Sequence, residues 1–214
     1  MKILLLGIFF VCLNTFTGSS FDAITKYLSI NNYKWYHYYS IGGTAAIILF
    51  ILLFFTNGEI KKHLTLKNKN HFYFLILRGI SFIPVLLIVF YSLKYIPISL
   101  FATLIMTSPF FLLIFAKIIL KEKLNYISWV AILIGFCGVL IVLRPSLSNI
   151  NIFIFLVFFA VLIISFNFTI VSKYSHIATS YGFTFYQYLP ITLFAYIFFI
   201  FDPLVPSLKE FILF

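Results

Sequence analysis

Residues 72–92 read FYFLILRGISFIPVLLIVFYS, twenty-one positions with a single charge, Arg78. A helix rises about 1.5 Å per residue, so about 20 such residues cross the ~30 Å hydrocarbon layer of a membrane. Backbone groups left unsatisfied in hydrocarbon are costly, and the stretch lacks the alternation of a barrel strand. Helix is therefore the conformation that lipid imposes on it.

Six further windows have the same character: approximately 3–21, 35–56, 98–116, 126–143, 152–172 and 181–201. None of these carries a charge. The chain is 63% hydrophobic and 9% charged, with 30 Phe and 14 Tyr. That leaves too little polar surface to dissolve a water-surrounded domain, and more large rings than one core of this size buries. The expected fold class is all-α: a polytopic transmembrane bundle of about seven helices, with the lipid bilayer as its solvent.

A net charge of +10 invites a nucleic-acid reading, but the Lys and Arg residues cluster between apolar runs. No nucleic-acid partner is expected. With the amino terminus cytoplasmic, the inner side receives Lys2, Lys61, Lys62, Lys67, Lys69, Lys117, Lys121, Lys123 and Lys173. The outer side receives fewer: Lys26, Lys34, Lys94, Arg144 and Lys209. The excess orients the amino terminus inward. The expected location is a cell membrane, the inner membrane of a bacterium. Cys12 and Cys137 lie inside apolar stretches, where a thiol usually packs as a small hydrophobe.

The first window has a second reading as a cleavable signal peptide, from Met1-Lys2, a short apolar run and Thr17-Gly18-Ser19-Ser20. An internal echo argues against it. At an offset of 147 residues, Thr25-Lys26-Tyr27 aligns with Ser172-Lys173-Tyr174 and Tyr38-Tyr39 with Phe185-Tyr186. Span one is thus paired with span six, and an odd number of crossings gives the two copies opposite orientations. Inverted repeats of this kind recur in secondary transporters, which bind substrate near the midplane where the repeats meet.

A more specific signal comes from Leu77-Arg78-Gly79, Tyr91-Ser92-Leu93-Lys94-Tyr95-Ile96-Pro97 and Thr107-Ser108-Pro109, followed by Leu120-Lys121-Glu122-Lys123-Leu124, Trp129, Gly135-Phe136-Cys137-Gly138-Val139 and Arg144-Pro145. In this order and spacing the chain from about Asp22 to Tyr188 resembles the EamA-type transporters of the drug/metabolite transporter superfamily. The resemblance implies two inverted five-helix halves and movement of small metabolites, amino-acid-like or nucleotide-like. On that plan residues 1–145 form the first repeat and residues 146–214 a partial second one. Phe214 falls three helices short of it, so that either further C-terminal helices or a homodimer would complete a pathway. Relatives often carry an Arg in span two, where this chain has Tyr38-Tyr39-Ser40, which removes that anion-binding role.

A charge within a span needs a reason to be there, since it costs about 2.5–3.5 kcal/mol on insertion scales. Arg78 has two readings: a fork of donors for a carboxylate or phosphate in a water-filled cavity, or a side chain snorkelling to the headgroups. Asp22 and Lys26 stand one helical turn apart, where opposite charges meet. They form an outer gate or proton-coupled carboxylate, or an interfacial ion pair that fixes helix depth. Asn14, His37, Tyr38, Asn167, Tyr186 and Gln187 are polar groups within spans, suited to bind substrate or to hydrogen-bond between helices. Pro84, Pro109 and Pro190 each remove a backbone donor and bend or interrupt a helix.

No His-Glu-x-x-His helix, Gly-x-Ser-x-Gly elbow or phosphate-cradling glycine loop is present, and five acidic residues leave little for acid–base or metal chemistry. No enzymatic activity, cofactor or metal is expected. The resulting expectation is a secondary transporter of a small polar metabolite working by alternating access. The competing expectation is a non-transporting multi-pass scaffold or assembly protein.

Overall fold

The structure is a computed structural model, and it describes residues 2–56, 69–123, 125–143 and 151–205. Among the described residues eight α-helices follow one another: α1 Lys2–Ile30, α2 Trp35–Thr56, α3 Lys69–Tyr95, α4 Ile98–Ile105, α5 Ser108–Phe115, α6 Tyr126–Leu143, α7 Ile152–Lys173 and α8 Ser180–Phe199. A π-helical turn, Ala116–Leu120, extends α5. Lys61, Lys62, Lys67, Leu124, Arg144, Pro145 and Lys209–Phe214 lie outside the described residues.

Six segments are long and apolar enough to span a membrane, the broken segment Ile98–Leu120 among them; α6 is shorter in its described apolar part. The chain is a multi-pass membrane protein of all-α class. Its surface is that of a protein solvated by hydrocarbon: Phe16, Tyr73 and Ile134 are about two-thirds exposed or more, a coat that water would not tolerate over so much area. Cys12 and Cys137 are exposed on this coat and not packed inside, as the sequence had led us to expect.

α1 is longer than its apolar window and runs through Thr17–Ser20 without interruption. Its first half, Leu5–Ser19, is exposed on every side. The Thr15, Thr17 and Ser20 hydroxyls meet this exposure by donating to carbonyls of their own helix one turn back, at 2.9–3.0 Å. Asn32, at φ 63°, turns the chain from α1 into α2; Asn tolerates this left-handed region better than most residues.

Only one of the three in-span prolines interrupts its helix. Pro84 and Pro190 sit inside the continuous helices α3 and α8. Pro109 follows a break at Met106–Thr107, where α4 stops and α5 starts with proline in its first turn. Proline suits that position because the first N–H groups of a helix have no partner within it.

α3 is the centre of the bundle. It packs along α7 and α8 and takes the second half of α1, while α2 lies along α8. The core cluster joins Leu28 of α1, Tyr38 and Tyr39 of α2, Phe82, Val85 and Val89 of α3, Val157 and Val161 of α7, and Ile191 and Ala195 of α8. Two close approaches depend on glycine. A Cβ on Gly79 would lie 2.5 Å from Pro190 Cγ and 3.0 Å from the Tyr186 carbonyl oxygen. A Cβ on Gly43 would overlap Thr192 Oγ1.

The bundle has two ends. Lys26, the α1–α2 turn and the end of α3 share one of them, since Lys26 Nζ reaches the Leu93 and Ile96 carbonyls. Tyr95 stacks on Phe153 at 4.6 Å, which puts the start of α7 at this Lys26 end. Lys173, at the other terminus of the 22-residue α7, therefore lies at the opposite end, about 33 Å away along the axis.

Candidate functional site

Between α1, α2, α3 and α8 lies a cavity of about 200 Å³. Its wall is Phe21 from α1, Tyr38, Tyr39 and Gly42 from α2, Leu86 from α3, and Gln187 and Tyr188 from α8. The local sequences explain the space. Gly42, Gly43 and Ala46 recur on one face of α2 and withdraw volume there, while the rings of Tyr38 and Tyr39 close the end nearer Lys26. Phe21 and Tyr38 lie 5.7 Å apart by ring centroids, Tyr38 and Tyr39 5.0 Å. The Tyr39 hydroxyl is buried and has no hydrogen-bond partner among the described residues.

Asp22 follows Phe21 on α1, with its carboxylate within electrostatic reach of the Tyr38 and Tyr39 hydroxyls; the Tyr38 hydroxyl also faces Thr25, one turn on from Asp22. The spacing of Asp22 and Lys26 suggests an ion pair, and the structure arranges them otherwise. Lys26 donates to the Leu93 and Ile96 carbonyls, both at 2.9 Å. Those carbonyls lie at the C-terminus of α3, where the helix dipole attracts a cation. Among the described residues no basic group lies within 4 Å of the Asp22 carboxylate.

Arg78 is 8% exposed. It does not reach out of the bundle but lies between α3 and α8, where Nη1 donates to the Phe183 carbonyl at 3.3 Å and Nε has no hydrogen-bond partner among the described residues. The rings of Phe82 and Phe183 flank the guanidinium at 5.4 and 5.5 Å. Eight residues along α3 separate it from Leu86 on the cavity wall, about 12 Å along the axis. Gln187 of the same wall nevertheless packs against Gly79, so the cavity reaches the level of Arg78 although Arg78 does not line it.

Tyr38 and Gln187 line the cavity. Tyr186, one position before Gln187, faces away from it and meets Phe72 edge-on at 5.8 Å. Asn167 bridges helices, with Nδ2 donating to Ser81 Oγ at 3.1 Å and to the Ile163 carbonyl at 2.9 Å. His37 belongs to a clamp at the Lys26 end: its Nε2 lies 2.8 Å from the Asp202 carbonyl oxygen, and the Tyr36 hydroxyl donates to Asp202 Oδ2 at 2.7 Å. Asn14 is exposed on the unpacked half of α1.

Six of the resemblance motifs can be located in this geometry. Leu77-Arg78-Gly79 forms the α3–α8 contact, Leu93 and Ile96 receive Lys26, and Thr107-Ser108-Pro109 is the α4–α5 break. Lys121, at φ 56°, ends the π-turn, and Trp129 and Gly135–Gly138 lie on α6. The EamA-like transporter family profile matches residues 5–144, well over half of the chain. The chain belongs to the EamA-like transporter family. This EamA-like chain is also 26% identical over 153 residues, 71% of its own length and 49% of the relative's, to the S-adenosylmethionine uptake transporter of Rickettsia conorii (strain ATCC VR-613 / Malish 7). It therefore spans about half the length of that curated relative.

Four residues of the EamA-like chain that take part in these sites were not expected as site residues from sequence: Phe21, Tyr188 and Tyr39, the last noted only in the internal echo and the span-two departure, at the cavity, and Asp202 in the clamp. The aromatics carry no local signal in a chain with 44 Phe and Tyr residues, the sum of 30 and 14. Asp202 meets α2 across 165 residues of sequence.

Proposed function

We propose that the chain carries out secondary transport of a small polar metabolite, amino-acid-like or nucleotide-like, across the cell membrane by alternating access. The observation that supports this most is the presence of a tyrosine-lined cavity together with a buried Arg78 that has no acidic partner among the described residues, inside a bundle whose exterior is apolar. A scaffold has no use for such an interior, since each buried polar group must be stabilised against hydrocarbon. The relative named for S-adenosylmethionine uptake makes that compound the first candidate.

On this reading residues 1–145 are the first repeat, residues 146–214 begin an inverted second, and the Lys26 end faces the cell exterior. The bare half of α1 with Asn14 is the surface against which the pathway is completed, by further helices or a second copy. Arg78 takes the substrate's carboxylate or phosphate; Tyr38 and Gln187 take its polar parts.

Purified protein in liposomes, offered labelled S-adenosylmethionine and labelled amino acids, tests the proposal. Saturable uptake of one of them, lowered about tenfold or more by Arg78→Ala, is the expected result. Uptake equal to that of empty liposomes for every compound overturns it.

A further inference from the structure

We propose that the cavity between α1, α2 and α8 is a site for the positively charged group of a compact organic cation, held over the rings of Phe21, Tyr38, Tyr39 and Tyr188 with Asp22 as its counter-charge. As a substrate subsite it rests on the transport reading; as a binding site it stands alone.

Three properties of the cavity and its setting select this ligand. The first is charge. Asp22 does not itself line the space but follows the wall residue Phe21 on α1 and acts electrostatically on the Tyr38 and Tyr39 hydroxyls of the wall, while Lys26, the nearest cation in sequence, is engaged by the Leu93 and Ile96 carbonyls. An unpaired carboxylate in a membrane interior is costly, and a cation in the adjoining space removes that cost. The second is the aromatic lining. Four rings meet one small space, the Phe21–Tyr38 and Tyr38–Tyr39 centroids being 5.7 and 5.0 Å apart. The negative faces of aromatic rings attract a cation centred within about 6 Å, and cages of this kind bind quaternary ammonium groups. The third is size. At about 200 Å³ the space falls below the about 300–1,000 Å³ of drug-sized sites, so it suits an onium group or the charged end of a longer molecule.

The alternatives fit worse. An anion meets the field of Asp22, and Arg78 does not line the cavity but is turned to the Phe183 carbonyl. A metal cation needs several oxygen ligands in a shell, whereas the wall offers tyrosine hydroxyls and the Gln187 amide among rings and no carboxylate of its own. A purely apolar guest leaves Asp22 and the buried Tyr39 hydroxyl unanswered.

Equilibrium dialysis of labelled choline decides the matter, using the full chain in nanodiscs of phosphatidylethanolamine and phosphatidylglycerol, lipids without choline headgroups. The control ligand is 3,3-dimethyl-1-butanol, the uncharged carbon counterpart of choline. Choline is expected to bind saturably and the alcohol at least about tenfold more weakly. Asp22→Asn and Tyr38→Leu are each expected to weaken choline binding about tenfold, and Tyr38→Phe, which keeps the ring, to recover most of that loss. Each variant is compared only if it elutes as a single species; if Asp22→Asn does not, Tyr188→Leu takes its place with the same expectation. Absence of saturable choline binding, equal binding of the alcohol, or undiminished binding by folded Asp22→Asn overturns the site. A chain that binds choline but moves no metabolite in liposomes refutes transport and keeps the site; flux without choline binding does the reverse.

Discussion

Lys26 Nζ lies 2.9 Å from the carbonyl oxygen of Leu93 and closes the C-terminus of α3 from the neighbouring helix. Hydrogen bonds to charged groups contribute about 1.5–3 kcal/mol each. Lys26→Met is expected to lower bundle stability by about that amount, measured by thermal unfolding in detergent. A double-mutant cycle of Lys26→Met with Asp22→Asn is expected to give a coupling near zero, because the two side chains are not partners. A strong coupling would restore the ion pair.

Gly43 and Thr192 meet closely on the α2–α8 seam. Gly43→Ala forces the two helices apart and is expected to cost about 1–3 kcal/mol. Thr192 Oγ1 is buried without a hydrogen-bond partner among the described residues, so Thr192→Ala makes room at little cost. The double variant is expected to unfold close to the parent temperature. Failure of that rescue would show that the seam is looser than described.

How much of this was legible beforehand depended on the range of each signal. Spans were readable because hydrocarbon thickness fixes a length that any twenty-residue window reveals, and helix starts at Trp35, Ile98 and Tyr126 fall at the window edges. The break at Pro109 was not separable from Pro84 and Pro190, since all three remove one N–H and only the neighbouring helices decide which rod parts. Tyr38 and Gln187 reached the cavity wall as polar residues in apolar windows. Asp22 and Lys26 show the limit of spacing arguments: one turn apart on α1, they answer to different helices, and nothing local records that α3 ends beside them.

The Asp202 clamp yields a smaller prediction. Asp202 is exposed, so its bonds compete with water. Asp202→Ala is expected to leave global stability within about 1 kcal/mol while speeding amide hydrogen exchange at the start of α2, residues 35–37. Unchanged exchange there would mean that stacking of Trp35 on Phe194, at 5.6 Å, holds that end by itself.

Topology can be read directly by labelling. With the native cysteines replaced, Asn31→Cys and Ser175→Cys are expected to react with a membrane-impermeant maleimide from opposite sides, Asn31→Cys from outside the cell. Both are loop positions and leave the Lys26 contact intact. Labelling from one side would end the antiparallel arrangement of α1 and α7 and the inverted-repeat proposal with it.

The parting of the chain at Met106–Thr107 gives the Ile98–Leu120 segment a property that the unbroken α3 lacks. A continuous rod passes torque from one leaflet to the other, whereas two short rods joined at a turn pass on less of it. Whatever tilts residues 98–105 at one surface need not turn residues 108–115 at the other, so this crossing can yield in one leaflet while the opposite one stays shut.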